Sequence, residues 1–363
     1  MNAMKRPLAQ TFGFFLGALL LSAGLYWISE KVAPVYAKYK IRMQKLQEHA
    51  ETIAAINLGN SHNRAIDYHY MDLRGFHLWK GGSDLFGVCY TLRAIAPMLP
   101  NLKVVLINVN PLSFRHDDGA TDIRGGIRRE YYAITPTIRS WQPMPGDIKN
   151  LVQGKLAPLV REDHWLGVFD SLAIKCGGIK LSDNRRTARE KKAKARGKAT
   201  IDKGERDAVY VDEDGYFSPY IEVRLKPDSL TSRYDDLKSL IQASESVLRR
   251  NPALPDEIYD ELVATVKRLK ARNIRVIFYT SPYLETVNQL FAKRAMTQLS
   301  EMREYMRRLT KEHGAEYYDF SHDAEFTQRP DYFFSEDHLN KFGAAVFSRK
   351  LNEICGFDRL AKL

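Results

Sequence analysis

The chain is poor in cysteine, with three in 363 residues, and Cys89, Cys176 and Cys355 show no CxxC or CxxH spacing. They suggest neither a disulfide scaffold nor a structural zinc site. Long apolar runs are also scarce. Mean hydropathy is −0.38, far too low for a chain that crosses a membrane many times. Calcium-loop spacing is absent from the acidic turn of 209–216, which reads instead as a hairpin turning at Asp214-Gly215. What is present is ordinary for a globular protein: 44% hydrophobic and 27% charged residues, enough for one large domain or two small ones.

The charge is uneven. Of the net +11, residues 184–206 supply +7, from ten Lys/Arg against Glu190, Asp202 and Glu205. No aromatic residue is interleaved there, so a nucleic-acid groove is not expected. The run reads as a solvated loop, with a hold on anionic lipid or an anionic envelope polymer as the alternative.

One segment does have the length and composition of a membrane span. Residues 7–28 form an apolar stretch preceded by Lys5 and Arg6 and closed by Tyr26 and Trp27 at the interfacial position. The expected arrangement is a cytoplasmic tip at 1–6, an anchor at 7–28 and a polar stalk helix at 29–52. A single-pass plasma (inner) membrane location follows, with the main domain extracytoplasmic, or periplasmic. A cleaved signal peptide is the alternative, since Val35-Tyr36-Ala37 offers the small residues a peptidase accepts.

The domain proper is expected over 53–355. Its apolar runs at 54–58, 103–109 and 274–280, and a shorter one at 316–320, read as buried strands. They alternate with helical stretches at 84–98, 232–250, 256–272, 286–312 and 341–354. Strands alternating with helices imply an α/β fold with a parallel sheet. Residues 115–230 lack clear periodicity and read as an insertion or lid.

In parallel sheets, reactive residues gather at the carboxyl ends of the strands. Behind the first strand stands Gly59-Asn60-Ser61-His62. A serine on such a tight turn has an exposed hydroxyl beside free amides, which suits attack on an acyl carbon. The plainer reading is that Asn60-Ser61 caps the next helix. Near the carboxyl terminus, Ser335-Glu336-Asp337-His338-Leu339-Asn340 places a histidine among acids just before a helix. Such a histidine can serve as general base to the serine. Here too the plainer reading is a capping segment, with Asp337 and Asn340 satisfying free amides. His62, His69 and His77, with Asp67, have spacings that suit no zinc motif, and they read as polar loop residues, so no metal and no cofactor are expected.

These blocks together resemble the SGNH hydrolase/acyltransferase superfamily, in particular its membrane-anchored members similar to the DltD and alginate O-acetylation proteins. The resemblance spans roughly 52–115 and 255–355. It implies a three-layer α/β/α, flavodoxin-like domain. It also implies an esterase or O-acyltransferase acting on a cell-envelope glycan or glycopolymer, with a membrane-bound O-acyltransferase as partner. Carried over by motif, Ser61 is the nucleophile and His338 the base. Gly82, in Gly81-Gly82-Ser83-Asp84, and Asn110 serve the oxyanion or substrate. Two positions depart from the family pattern: Asn60 replaces an aspartate before the serine, and Ser335 stands where the triad aspartate is expected. That leaves Asp337, or else Glu336, to orient the histidine. The alternatives are a catalytically degenerate protein of the same fold, serving envelope polysaccharide binding or assembly, and a membrane-anchored scaffold acting through its stalk and basic insert.

Overall fold

The computed structural model describes residues 42–78, 83–114, 254, 256–335 and 337–360. The anchor at 7–28, most of the stalk, Gly82, Glu336, the insertion with its basic run, the 209–216 hairpin and the 232–250 helix lie outside the described residues. Among the described residues no helix is long and apolar enough to cross a membrane. The end of the stalk, 42–48, is helical, and its Met43 and Leu46 are buried.

Five strands form one parallel sheet: β1 (Ala55–Leu58), β2 (Gly75–His77), β3 (Val104–Asn108), β4 (Arg275–Thr280) and β5 (Glu316–Asp319). Their order is β2-β1-β3-β4-β5, and every pairing is parallel. The fold is therefore α/β. The central strands are buried along their length, which is why Ala55-Ile-Asn-Leu and Val104-Val-Leu-Ile-Asn read as nearly continuous apolar runs. The direction of strand succession reverses between β1 and β3. In open parallel sheets, sites form beyond the carboxyl ends of the strands at this switch point.

Among the described residues five longer helices accompany the sheet: α1 (Leu85–Ile95), α2 (Asp256–Lys270), α3 (Glu285–Arg294), α4 (Met296–His313) and α5 (Lys341–Cys355). Asp84 caps α1 by accepting from Gly87 N at 2.6 Å. Asn273, at φ +58°, makes the left-handed turn from α2 into β4. The single helix expected over 286–312 is two. Ala295 leaves helical geometry (φ −133°, ψ 28°), yet hydrogen bonds from Ala295 N to Phe291 O and from Leu299 N to Ala295 O carry the ladder across the kink. No proline or glycine stands there to signal it.

On one face of the sheet Ala55, Val104, Leu106, Ile277 and Tyr279 pack with Phe347 and Leu351 of α5. Strand alternation sends Ile56, Val105, Ile107, Val276 and Phe278 to the other face, where they are buried too. Each such large apolar side chain contributes roughly 1.5–3 kcal/mol by its burial.

α5 also draws together two distant pieces of chain. Ala65 and Ile66, just after Ser61, share its cluster with Phe333 and Leu339, which flank the His338 loop. Ser348 Oγ accepts from Asp67 N at 2.7 Å and donates to Ala65 O at 3.3 Å. Asn340 caps the helix by accepting from Phe342 N and Gly343 N, and its own amide donates to Asp331 O at 2.8 Å. Gly343 is required by close approach, since a Cβ there would come within 2.3 Å of Tyr332 O.

Candidate active site

Ser61 opens a short 3₁₀ helix, Ser61–Ala65, directly beyond β1. The turn depends on Gly59, whose φ is +130°. A Cβ at Gly59 would sit 2.4 Å from Asn63 Nδ2 and 2.9 Å from Asn108 O. Asn60 caps the helix, its Oδ1 accepting from His62 N at 3.0 Å, so the capping role expected of this segment belongs to Asn60. Beneath the turn, buried Asn63 donates to Leu58 O and accepts from the Tyr279 hydroxyl. Ser61 itself remains partly exposed.

His338 comes from a small antiparallel hairpin, β6 (Phe333–Ser335) and β7 (His338–Leu339). Its Nε2 lies 2.7 Å from Ser61 Oγ, across 277 positions of sequence. On the other side of the ring, Nδ1 lies 2.6 Å from Asp337 Oδ1. Ser335 Oγ donates to the same Oδ1 at 2.9 Å and stands 3.0 Å from His338 Nδ1. Ser61, His338 and Asp337 thus form a connected line of hydroxyl, imidazole and carboxylate. Among the described residues the partners of Asp337 are side chains and no backbone amide. Adjacent residues seldom pair in this way, and here the hairpin turn makes the pairing possible.

Asp337 is largely buried, which works against its charge. The charge and hydrogen bond of His338, reinforced by those of His62, nevertheless hold it well below the usual carboxylate range. It is the anion of the site.

His62, expected to be an unremarkable loop residue, stands at the centre. Its Nε2 lies 3.2 Å from Asp337 Oδ2. Its ring stacks on that of His338, with centroids 4.5 Å apart and planes within 8°. Tyr283 meets it edge-on at 5.5 Å, and burial, with Asp337 nearby, pushes the Tyr283 phenol up. Burial first, then His338, lowers the His62 pKa, which favours the neutral ring. In that state Nε2–H donates to Asp337, and Nδ1 accepts from Asn110 Nδ2 at 3.2 Å. Asn60 Oδ1 lies 2.8 Å from the same Nδ1, ready to receive a second proton there.

Asn110 is fully buried. Besides its link to His62, its Oδ1 accepts from Ser113 N at 3.0 Å and Ser113 Oγ at 3.1 Å. It therefore braces the floor of the site, and Asn60 Nδ2 joins the same brace through Ser113 Oγ. Gly82 and Glu336 lie outside the described residues.

The three histidines once grouped by sequence do not act together. His69 pairs with Asp67 at the surface, at 2.9 Å, and His77 is buried in β2 against Tyr68. The donor atoms of His62, Asp337 and His338 do lie within 4.8 Å of one another. A cation shared by both rings would have to lie in the plane of each. Stacked parallel rings point their in-plane lone pairs side by side without convergence, so this cluster suits hydrogen bonding better than metal ligation.

No signal in the local sequence marks His62, since its importance comes from a contact with Asp337, 275 positions away, that only the fold creates. No protein-family model matches the chain, and no curated protein sequence matches it.

Proposed function

We propose that this chain is a membrane-anchored, outward-facing serine acyl-transfer enzyme of SGNH type, with a three-layer flavodoxin-like domain. It acts as an esterase or O-acyltransferase on a cell-envelope glycan or glycopolymer. The observation that carries this reading is the Ser61–His338–Asp337 line at the switch point of the sheet, with contacts of 2.7 and 2.6 Å.

In the proposed reaction Ser61 Oγ attacks the acyl carbonyl carbon of the donor while His338 Nε2 takes its proton. The tetrahedral oxyanion collapses, the donor's leaving group departs with that proton, and an acyl-serine remains. An acceptor hydroxyl, or water, then gives its proton to His338 and attacks the acyl carbon, and as the acyl–Oγ bond breaks His338 returns that proton to Ser61 Oγ. Asp337 stays ionised throughout and holds the Nδ1–H tautomer. The Ser61 amide, at the start of the 3₁₀ helix, and Gly82 serve the oxyanion, the next two amides being taken by Asn60.

The apolar run at 7–28 behind Lys5 and Arg6 supports the anchor and the outward orientation. The family likeness supports a membrane-bound O-acyltransferase as partner. The hydroxyl of Ser335 at the family's aspartate position favours a second reading, a degenerate protein that binds or helps assemble envelope polysaccharide.

The two are separated by incubating the protein with an activated acetyl ester and seeking an acetyl group on Ser61 by mass spectrometry. An adduct on Ser61 that is absent in His338→Ala supports the enzyme. A folded protein that never acquires one supports the binding protein.

A further inference from the structure

Asp337 is the immediate neighbour of the histidine it contacts. Asp337 lies in the turn that precedes β7, which brings its carboxylate beside that ring but does not by itself fix its rotation. Something must hold it, and the contacts around its two oxygens show what does. Oδ1 receives His338 Nδ1–H and the Ser335 hydroxyl, at 2.6 and 2.9 Å. Oδ2 faces His62 Nε2, at 3.2 Å.

We propose that His62 is a positioning residue that grips Oδ2 of Asp337 and so allows a carboxylate adjacent to His338 to orient it. This rests on the reading of Ser61, His338 and Asp337 as an acyl-transfer site, and it adds a fourth residue whose ring acts through Asp337. His62 is itself well held. Asn110 donates to Nδ1 at 3.2 Å, Asn60 Oδ1 stands beside the same atom at 2.8 Å, and Tyr283 closes the edge of the ring. The Asn60 amide is oriented by the backbone N–H of His62. Donor and acceptor thus both meet Nδ1, the Asn110 amide suiting the neutral ring and Asn60 Oδ1 the charged one.

The stack with His338 gives the grip an electrical consequence. Two imidazolium rings 4.5 Å apart repel, so a proton on one opposes a proton on the other. The charged and titratable groups facing His62 are Asp337, which favours its proton, and His338 and Arg64, which oppose it, besides the Tyr283 phenol. His338 becomes charged when it takes the Ser61 proton. A neutral His62 leaves that step unopposed, and a charged His62 hinders it.

The test uses the full chain in detergent, with His62→Gln and His62→Ala. Glutamine keeps an N–H for Asp337 but cannot titrate, and alanine keeps neither property. The rate of fluorophosphonate labelling is expected to fall about 10–100-fold in His62→Ala, short of the ~10⁴-fold attached to losing a triad carboxylate outright. In His62→Gln it is expected to return to within about fivefold of the wild type, with a shallower acid limb in its pH profile. Equal rates in all three proteins, or equal losses in both folded variants, overturn the proposal.

A second measurement does not depend on activity. Imidazole nitrogen shifts followed by NMR across pH are expected to show the His62 pKa rising in His338→Gln and falling in Asp337→Asn. If neither moves it, His62 does not share Asp337, whatever the labelling shows. If both move it while wild-type Ser61 stays unlabelled, the grip stands and the acyl-transfer reading is what fails.

Discussion

His62 and His338 lie face to face, with ring centroids 4.5 Å apart, and both rings contact the one carboxylate of Asp337, at 3.2 and 2.6 Å. A single buried anion therefore serves two imidazoles. One of them reaches the serine, and the other turns toward the asparagines of the floor. The reactivity expected of Ser61 follows from this sharing, and so do the consequences of disturbing it.

Asp337→Asn keeps the shape of the site but offers an amide N–H where the ring needs an acceptor. His338 is then driven to the tautomer that carries its proton on Nε2 and cannot accept from Ser61. Labelling or acylation of Ser61 is expected to fall by about 10³–10⁴-fold. A loss smaller than tenfold would remove Asp337 from this role.

Ser335→Ala removes one of three donors to Asp337 while leaving His338 and His62 in place. One hydrogen bond of this kind contributes about 1 kcal/mol net, so a fall of about fivefold in Ser61 reactivity is expected. A loss matching that of Asp337→Asn would show that the hydroxyl, standing where the resembled family has an aspartate, carries more than support.

Gly59→Ala should fail through stability before chemistry. Its φ of +130° excludes a side chain, and the added Cβ would collide with Asn63 Nδ2 and Asn108 O. Clash and strain together are expected to cost about 2–4 kcal/mol, read as a lowered urea midpoint with unchanged slope. An alanine variant as stable as the wild type would mean that the turn after β1 is not as described.

Much of the fold was legible because central parallel strands, buried on both faces, read as unbroken apolar runs. Ala55–Leu58, Val104–Asn108 and Arg275–Thr280 all fall within one or two residues of expectation. Strand β2 was not legible, since Gly75-Phe-His is too short to show a period. The β6–β7 hairpin escaped for the same reason. Ser61, His338 and Asp337 stood out by residue type and by their places beside strand and helix ends. His62 did not. Its contact with Asp337 spans 275 positions, and a histidine that merely follows a serine carries no mark of what the fold will set against it.

Two buried histidines give stability a definite pH dependence. Burial lowers the pKa of His62 and pushes that of His77, in β2, well below its ordinary 6.5. Below that value the unfolded chain binds protons that the folded chain refuses, so stability is expected to fall as pH drops from 7 toward 5. Asp337, held low in the fold, adds a loss only as pH falls below about 3.8 and through its folded value. Urea midpoints at pH 8, 6.5 and 5 check the first window, and His77→Gln should flatten the slope. A midpoint that does not change between pH 8 and 5 would contradict neutral burial of both rings.

The most direct test of the central claim is fluorophosphonate labelling of the full chain in detergent, beside Ser61→Ala and His338→Ala. The expected result is a stoichiometric adduct on Ser61 in the wild type and none in either variant, with all three proteins folded. A folded wild type that stays unlabelled, or labelling that survives the loss of Ser61, would contradict an activated serine at this site.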